Sequence, residues 1–265
     1  MKLAIAGKGG VGKTFISATL SRLLARDGYG VLAIDADPAM NLAYALGIPV
    51  DLASKIVPIC ENNKLIEERT GAKPGSGFGS IFSLTPTVND IADRFGVSGP
   101  DGVKLLVMGT VRAGGTGCLC PANALLRVLI QHIMMERKEA VVMDMEAGLE
   151  HLGRATIRGV DAVIAVVEPG AQSVETARRI KKLASDIGLR DVLAVGNKIR
   201  TEEDSKFIES SLKNMGLKPS CIIPFDQMLL QADMQHAAPI DFAPSSPAVE
   251  AVRELEAMLR QRYGQ

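Results

Sequence analysis

The stretch Gly7-Lys8-Gly9-Gly10-Val11-Gly12-Lys13-Thr14 limits the fold of this chain more than any other. It lies between a short apolar run, residues 3–6, and a helical pattern over residues 14–26. Strand, G-x-x-x-x-G-K-T loop and helix in that order are the setting of a phosphate-binding P-loop. The glycines let backbone N–H groups wrap phosphate oxygens, and the helix N-terminus adds the positive end of its dipole. The pattern predicts that Gly9, Gly10, Val11 and Gly12 cradle a nucleotide's phosphates. Lys13 would reach the β- and γ-phosphates, and the Thr14 hydroxyl would bind Mg²⁺. Lys8 is a second lysine in the same loop, and one triphosphate does not need two. It is either a solvated surface lysine or a group that reaches a phosphate held by a partner subunit, as an arginine finger does.

Further apolar runs read as buried parallel strands at residues 31–34, 104–108, 140–143, 162–167, 192–195 and 221–223. Helical patterns fall at 121–137, 173–187, 203–215 and 247–262. This alternation predicts a doubly wound α/β fold, a mostly parallel sheet with helices on both faces. Residues 1–265 read as a single P-loop domain with an irregular insertion at about 51–103, Gly-rich over residues 71–79. That stretch either packs over one edge of the sheet or forms a partner-recognition surface.

Composition narrows the setting. The 30 basic residues balance 30 acidic ones, which argues against a nucleic-acid binder. A hydrophobic content of 47% excludes disorder. No apolar run approaches the roughly 18 uninterrupted residues of a membrane span. Four cysteines in 265 residues are too few for a disulfide scaffold. A cytoplasmic protein is expected, with neither nucleic acid nor membrane as partner.

The segment from Lys8 to Thr14 resembles the deviant Walker A of the MinD/ArsA/nitrogenase iron protein class of P-loop ATPases, the SIMIBI class. Two more segments match. Ile34-Asp35-Ala36-Asp37-Pro38 resembles the class's switch I, and Val141-Val142-Met143-Asp144-Met145-Glu146 ends a strand as its Walker B does. The resemblance implies a homodimer with two sandwiched nucleotides and Lys8 acting across the interface. It implies that Asp37 orients the attacking water, that Asp35 supports the Mg²⁺ site, and that Asp144 holds Mg²⁺. It also implies that Asn197 recognises adenine and that Pro224-Phe225-Asp226 closes the base pocket. Asn197-Lys198-Ile199-Arg200 lacks the aspartate of a guanine-specific N-K-x-D, so ATP is the expected nucleotide. No role is assigned to Glu146.

Gly117-Cys118-Leu119-Cys120-Pro121 adds a second chemistry. Pro121 suits the first turn of the helix that follows, so the two thiols lie at a helix N-terminus, where the dipole favours thiolate. They are either two small buried residues or half of a metal site. A soft divalent ion bound by sulfur usually takes four ligands. Cys60 and Cys221 are isolated in sequence, His132 lies far down the helix, and His151 follows the Walker B segment. A two-fold axis completes the set: Cys118 and Cys120 from each of two chains supply four thiolates, for nickel or zinc.

With Glu150-His151-Leu152, these features resemble the CooC-type accessory ATPases of carbon monoxide dehydrogenase and the AcsF-type ATPases of acetyl-CoA synthase. One departure is Ala39-Met40, which is closer to arsenite-pump ATPases. The resemblance implies an ATP-hydrolysing homodimer that inserts nickel into carbon monoxide dehydrogenase/acetyl-CoA synthase as client. The alternative is an iron–sulfur cluster-carrying ATPase, for electron transfer or cluster assembly, since spacing alone does not name the ion.

Overall fold

The computed structural model describes residues 1–73, 81–110, 120–146, 159–189 and 191–264. Eight strands run along the chain: β1 (Lys2–Gly7), β2 (Val31–Ala36), β3 (Val97–Ser98), β4 (Lys104–Val107), β5 (Ala140–Met145), β6 (Ala162–Val167), β7 (Val192–Ile199) and β8 (Pro219–Pro224). They form one sheet in the order β3-β4-β2-β5-β1-β6-β7-β8. All neighbours are parallel except the two-residue edge strand β3, which runs antiparallel to β4. All seven expected strands are present, five of them longer than expected by two to four residues.

The inner strands are buried on both faces, and their two-residue period sorts side chains between two cores. Ala4, Ala6, Leu32, Ile34, Val141 and Met143 face one side, against α4 (Asn63–Thr70), α5 (Ile91–Phe95) and α6 (Pro121–Glu136), with α7 (Ala171–Ile187) and α8 (Glu202–Lys213). Leu3, Ile5, Val31, Ala33, Ala140 and Val142 face the other. There they meet α1 (Lys13–Arg26), α2 (Leu42–Leu46), α3 (Val50–Ala53), α10 (Pro239–Phe242) and α11 (Pro247–Tyr263). The same period decides where the acidic residues go. Asp35 follows Ala33 by two and Asp144 follows Val142 by two, so both project toward the side that holds α1. They are register partners across β2 and β5.

The sequence also marks the helix ends. Pro121 and Pro247 occupy first-turn positions, behind Cys120 and Ser246 as caps. Thr201 and Asp204 form a reciprocal capping box on α8. The helices α2, α9 (Gln227–Met234) and α10 are short and lie outside the expected helical patterns, whereas α3, α4 and α5 are the short helical pieces of the irregular 51–103 stretch. The 51–103 stretch contributes Ile59, Leu65, Ile66 and Ile91 to the core, and β3 to the sheet edge. No helix among the described residues is long and apolar enough to cross a membrane.

Arg22 ties α1 to its surroundings. Its guanidinium donates to both carboxylate oxygens of Asp241 at 2.6 and 2.9 Å, to Asp101 at 2.5 Å and to the Leu46 carbonyl at 3.0 Å. The side chain is only 4% exposed, so truncation strands partners that solvent reaches poorly. Arg22→Met is expected to cost about 2 kcal/mol, below the usual 3–5 for a broken buried pair, because Asp241 is half open to water and Arg26 also pairs with both aspartates. The urea midpoint checks it; an unchanged midpoint would make the cluster energetically idle.

Candidate functional site

The P-loop leaves the C-terminal end of β1, in the middle of the sheet, where chain connections depart in opposite directions. Open α/β sheets bind ligands at such switch points. Gly10 and Gly12 have φ of 77° and 98°, the left-handed region that glycine enters freely. Gly12 is needed for space as well, since a Cβ there would collide with the Asn197 amide. The bend starts α1 at Lys13.

Lys13 is buried, with Nζ 3.4 Å from the Lys8 carbonyl and 3.7 Å from Asp37 Oδ2. Thr14 Oγ1 donates to Asp144 Oδ2 at 2.7 Å. One turn on, Ser17 Oγ donates to Asp144 Oδ1 at 3.2 Å. Asp35 accepts N–H donation from Asp37 at 3.2 Å and Leu42 at 2.9 Å, which pins the start of switch I. Asp37 Oδ1 accepts from the Ala39 N–H at 2.9 Å, and the next residue, Met40, has φ 50°. A non-glycine residue in that region is held there by its surroundings.

Asp35 and Asp144 are both fully buried. Burial, reinforced by the Asp144 charge, pushes the Asp35 carboxyl up to about 7. Burial pushes Asp144 up to about 6, against the hydroxyl of Thr14 and the charge of Lys13. Two carboxylates and a hydroxyl form an all-oxygen donor set of the kind hard cations such as Mg²⁺ take.

Beside this cradle a cavity of about 620 Å³ opens, sharing Gly12 and Thr14 with the P-loop. Asn197, Pro224, Phe225 and Asp226 line it, together with Tyr44 and Leu229. Asn197 Nδ2 donates to the Val11 carbonyl at 2.7 Å, which leaves its side-chain oxygen as acceptor. Asp226 lines the pocket at the start of α9. Its two oxygens accept from Met228 N at 2.9 Å and Ala248 N at 3.3 Å, bracing the starts of α9 and α11. Arg200 stacks on Phe225, 3.8 Å from the ring centroid.

The chain as a whole is similar to known proteins. The CobQ/CobB/MinD/ParA nucleotide binding domain matches residues 2–248. The chain belongs to that family. It is 43% identical over 264 residues to the carbon monoxide dehydrogenase accessory protein CooC of Rhodospirillum rubrum, covering 100% of this chain and 98% of that one. An uncharacterised ATP-binding protein of Methanocaldococcus jannaschii is 44% identical over 233 residues, 88% of each chain. Among solved structures, the MinD cell division protein of Aquifex aeolicus superposes with a TM-score of 0.69 at 22% identity, covering 98% of this chain and 97% of that one. The septum site-determining protein MinD of Pyrococcus horikoshii OT3, complexed with Mg-ADP, gives a TM-score of 0.69 at 20% identity, covering 99% and 97%. The chain is thus a MinD/ParA-type ATPase of the CooC group, and the expected P-loop class is correct.

The structure brings Lys13, Thr14, Asp35, Asp37 and Asp144 into one cluster, with Lys8 and Asn197 held against the same loop. Glu146 is exposed at the end of β5. Of the thiols, Cys118 lies outside the described residues, as does His151. Cys120 caps α6, its Sγ accepting from the Asn123 N–H at 3.5 Å, and is half-buried. Cys60 sits beside the end of β4, where its N–H donates to the Met108 carbonyl at 3.0 Å. Cys221 lies on β8 at the far edge of the sheet, its Sγ donating to the Ala251 carbonyl at 3.2 Å. Burial pushes the Cys60 thiol up to about 11 and the Cys221 thiol up to about 12. Among the described residues no group of three His, Cys, Asp or Glu could hold a metal ion.

Sequence reasoning missed Ser17 in the site, and Glu168 and Lys198 at its rim. Ser17 had a signal, since it stands one helical turn after Thr14 on the same face. Glu168 and Lys198 had none.

Proposed function

We propose that this chain is the ATP-driven metallochaperone of a nickel enzyme, a homodimer that delivers nickel to carbon monoxide dehydrogenase/acetyl-CoA synthase. The observation that carries the reading is the full-length similarity to the R. rubrum accessory protein, joined to a Cys-x-Cys pair at the head of α6. In this reading Lys13 grips the β/γ-phosphates and Asp37 orients the attacking water. Lys8 reaches a phosphate of the partner subunit, and Asn197 reads adenine at the head of the cavity. Thr14, Asp35 and Asp144 are the groups that would hold Mg²⁺, which when bound compensates charge on the phosphate oxygens. Cys118 and Cys120 from two chains offer four thiolates to the metal cargo, so assembly and metal binding are linked.

The test is metal content and oligomeric state with ADP and with a non-hydrolysable ATP analogue. About one nickel or zinc per dimer, without cluster absorption, supports the reading. Replacing both Cys118 and Cys120 by Ser is expected to bring metal to background while ADP binding is unchanged. A brown iron–sulfur chromophore overturns the nickel assignment, and an unchanged metal content in the double variant overturns the interface site.

A further inference from the structure

Glu168 follows β6 directly and stands beside the P-loop. Its N–H donates to Ser173 Oγ at 3.0 Å, which anchors the turn before α7. Its two carboxylate oxygens serve two lysines. Oε1 is 3.5 Å from Lys8 Nζ, and Oε2 is 3.3 Å from Lys198 Nζ. Lys198 in turn donates to the Gly10 carbonyl at 2.6 Å and has φ 60°. One carboxylate thus bridges the tip of the P-loop and the end of β7. The Glu168 side chain is 22% exposed and that of Lys8 38%, so the pair sits at the rim of the site and solvent can compete for either partner.

We propose that Glu168 is a latch on Lys8: it holds the lysine within its own chain until a phosphate faces it, and so sets the ATP level at which two chains close. The proposal rests on the reading that Lys8 acts across a dimer. A lysine engaged with its own Glu168 must exchange that carboxylate for the partner's phosphate. Lys198 makes Glu168 a fixed partner rather than a drifting one, because it ties the carboxylate to the P-loop backbone. An ion pair with this exposure is worth up to about fivefold in an equilibrium constant. Each dimer releases two latches, so the effect on dimerisation enters squared, up to about 25-fold.

The test uses the full chain with Glu168→Gln, which keeps the shape and removes the charge. Three quantities are read: the concentration of non-hydrolysable ATP analogue that half-saturates dimerisation, ADP affinity, and the rate at which an acylating reagent modifies Lys8 in the ADP-bound monomer, followed by mass spectrometry. The expected result is a dimerisation midpoint lowered at least about threefold, faster modification of Lys8, and unchanged ADP affinity. An unchanged or raised midpoint overturns the latch. So does a loss of ADP affinity, because Glu168 would then act by supporting the P-loop through Lys198. Lys8→Ala separates the two readings: if it dimerises as wild type does, the action of Lys8 across the interface fails, whatever Glu168→Gln shows.

Discussion

Lys13→Ala is expected to lower kcat/KM for ATP hydrolysis by about 10³-fold or more. The lysine is the cation already placed in the crook of the loop. Its Nζ rests on the Lys8 carbonyl and faces Asp37, so it meets an incoming phosphate without first being ordered. Preorganised charge of this kind acts most where phosphoryl transfer spreads negative charge over the phosphate oxygens. Folding should survive, because Asp37 is 18% exposed and water can replace the lost ammonium; the expected stability change is under about 1 kcal/mol. Lys13→Arg should fail almost as badly, since a planar guanidinium does not fit the space a compact ammonium fills. Phosphate release checks turnover, and a urea titration checks the fold. Activity within tenfold of wild type would remove Lys13 from the role the loop assigns it.

Features that are local in sequence were readable before the fold was known. The P-loop is eight consecutive residues, and its function follows from backbone geometry that glycine alone permits. Asp35 and Asp144 were readable for a related reason: each ends an apolar strand, and the two-residue period puts it on the face where α1 begins. The Glu168–Lys198 bridge was not readable. Lys8 and Glu168 are 160 residues apart, and Gly10 and Lys198 are 188 apart. Only the parallel pairing of β1 with β6 and β6 with β7 brings them to one rim. The short helices α2, α9 and α10 carry no periodicity of their own, because tertiary contact holds them. α9 buries only Ala232 and is started by Asp226, whose oxygens accept from backbone N–H groups of α9 and α11. The edge strand β3 has two residues, too few to show a pattern.

Asp144→Asn is expected to move stability and activity in opposite directions. In the nucleotide-free chain, Asp144 and Asp35 are buried register partners on adjacent strands. Desolvation and mutual repulsion raise both carboxyls well above their ordinary values. Such groups favour the native state most below about pH 4, where they are neutral whether the chain is folded or unfolded. As pH rises toward 7 the unfolded chain gives up these protons more readily than the folded one, and stability is lost across that window. An amide carries no such penalty. Its oxygen can still accept from Thr14 or Ser17, and either hydroxyl can rotate to accept from its NH₂. Asp144→Asn should therefore be more stable than wild type by about 2 kcal/mol at pH 8, with the gain shrinking toward pH 4. Turnover should fall about 10²–10³-fold, because a neutral amide cannot hold Mg²⁺ beside Thr14 as a carboxylate does. Urea midpoints at the two pH values, with phosphate release at pH 8, test both halves. A variant less stable than wild type at pH 8 would mean that Asp144 serves the fold, whereas a gain in stability with a loss of turnover is the signature of a carboxylate kept buried for the cation it binds.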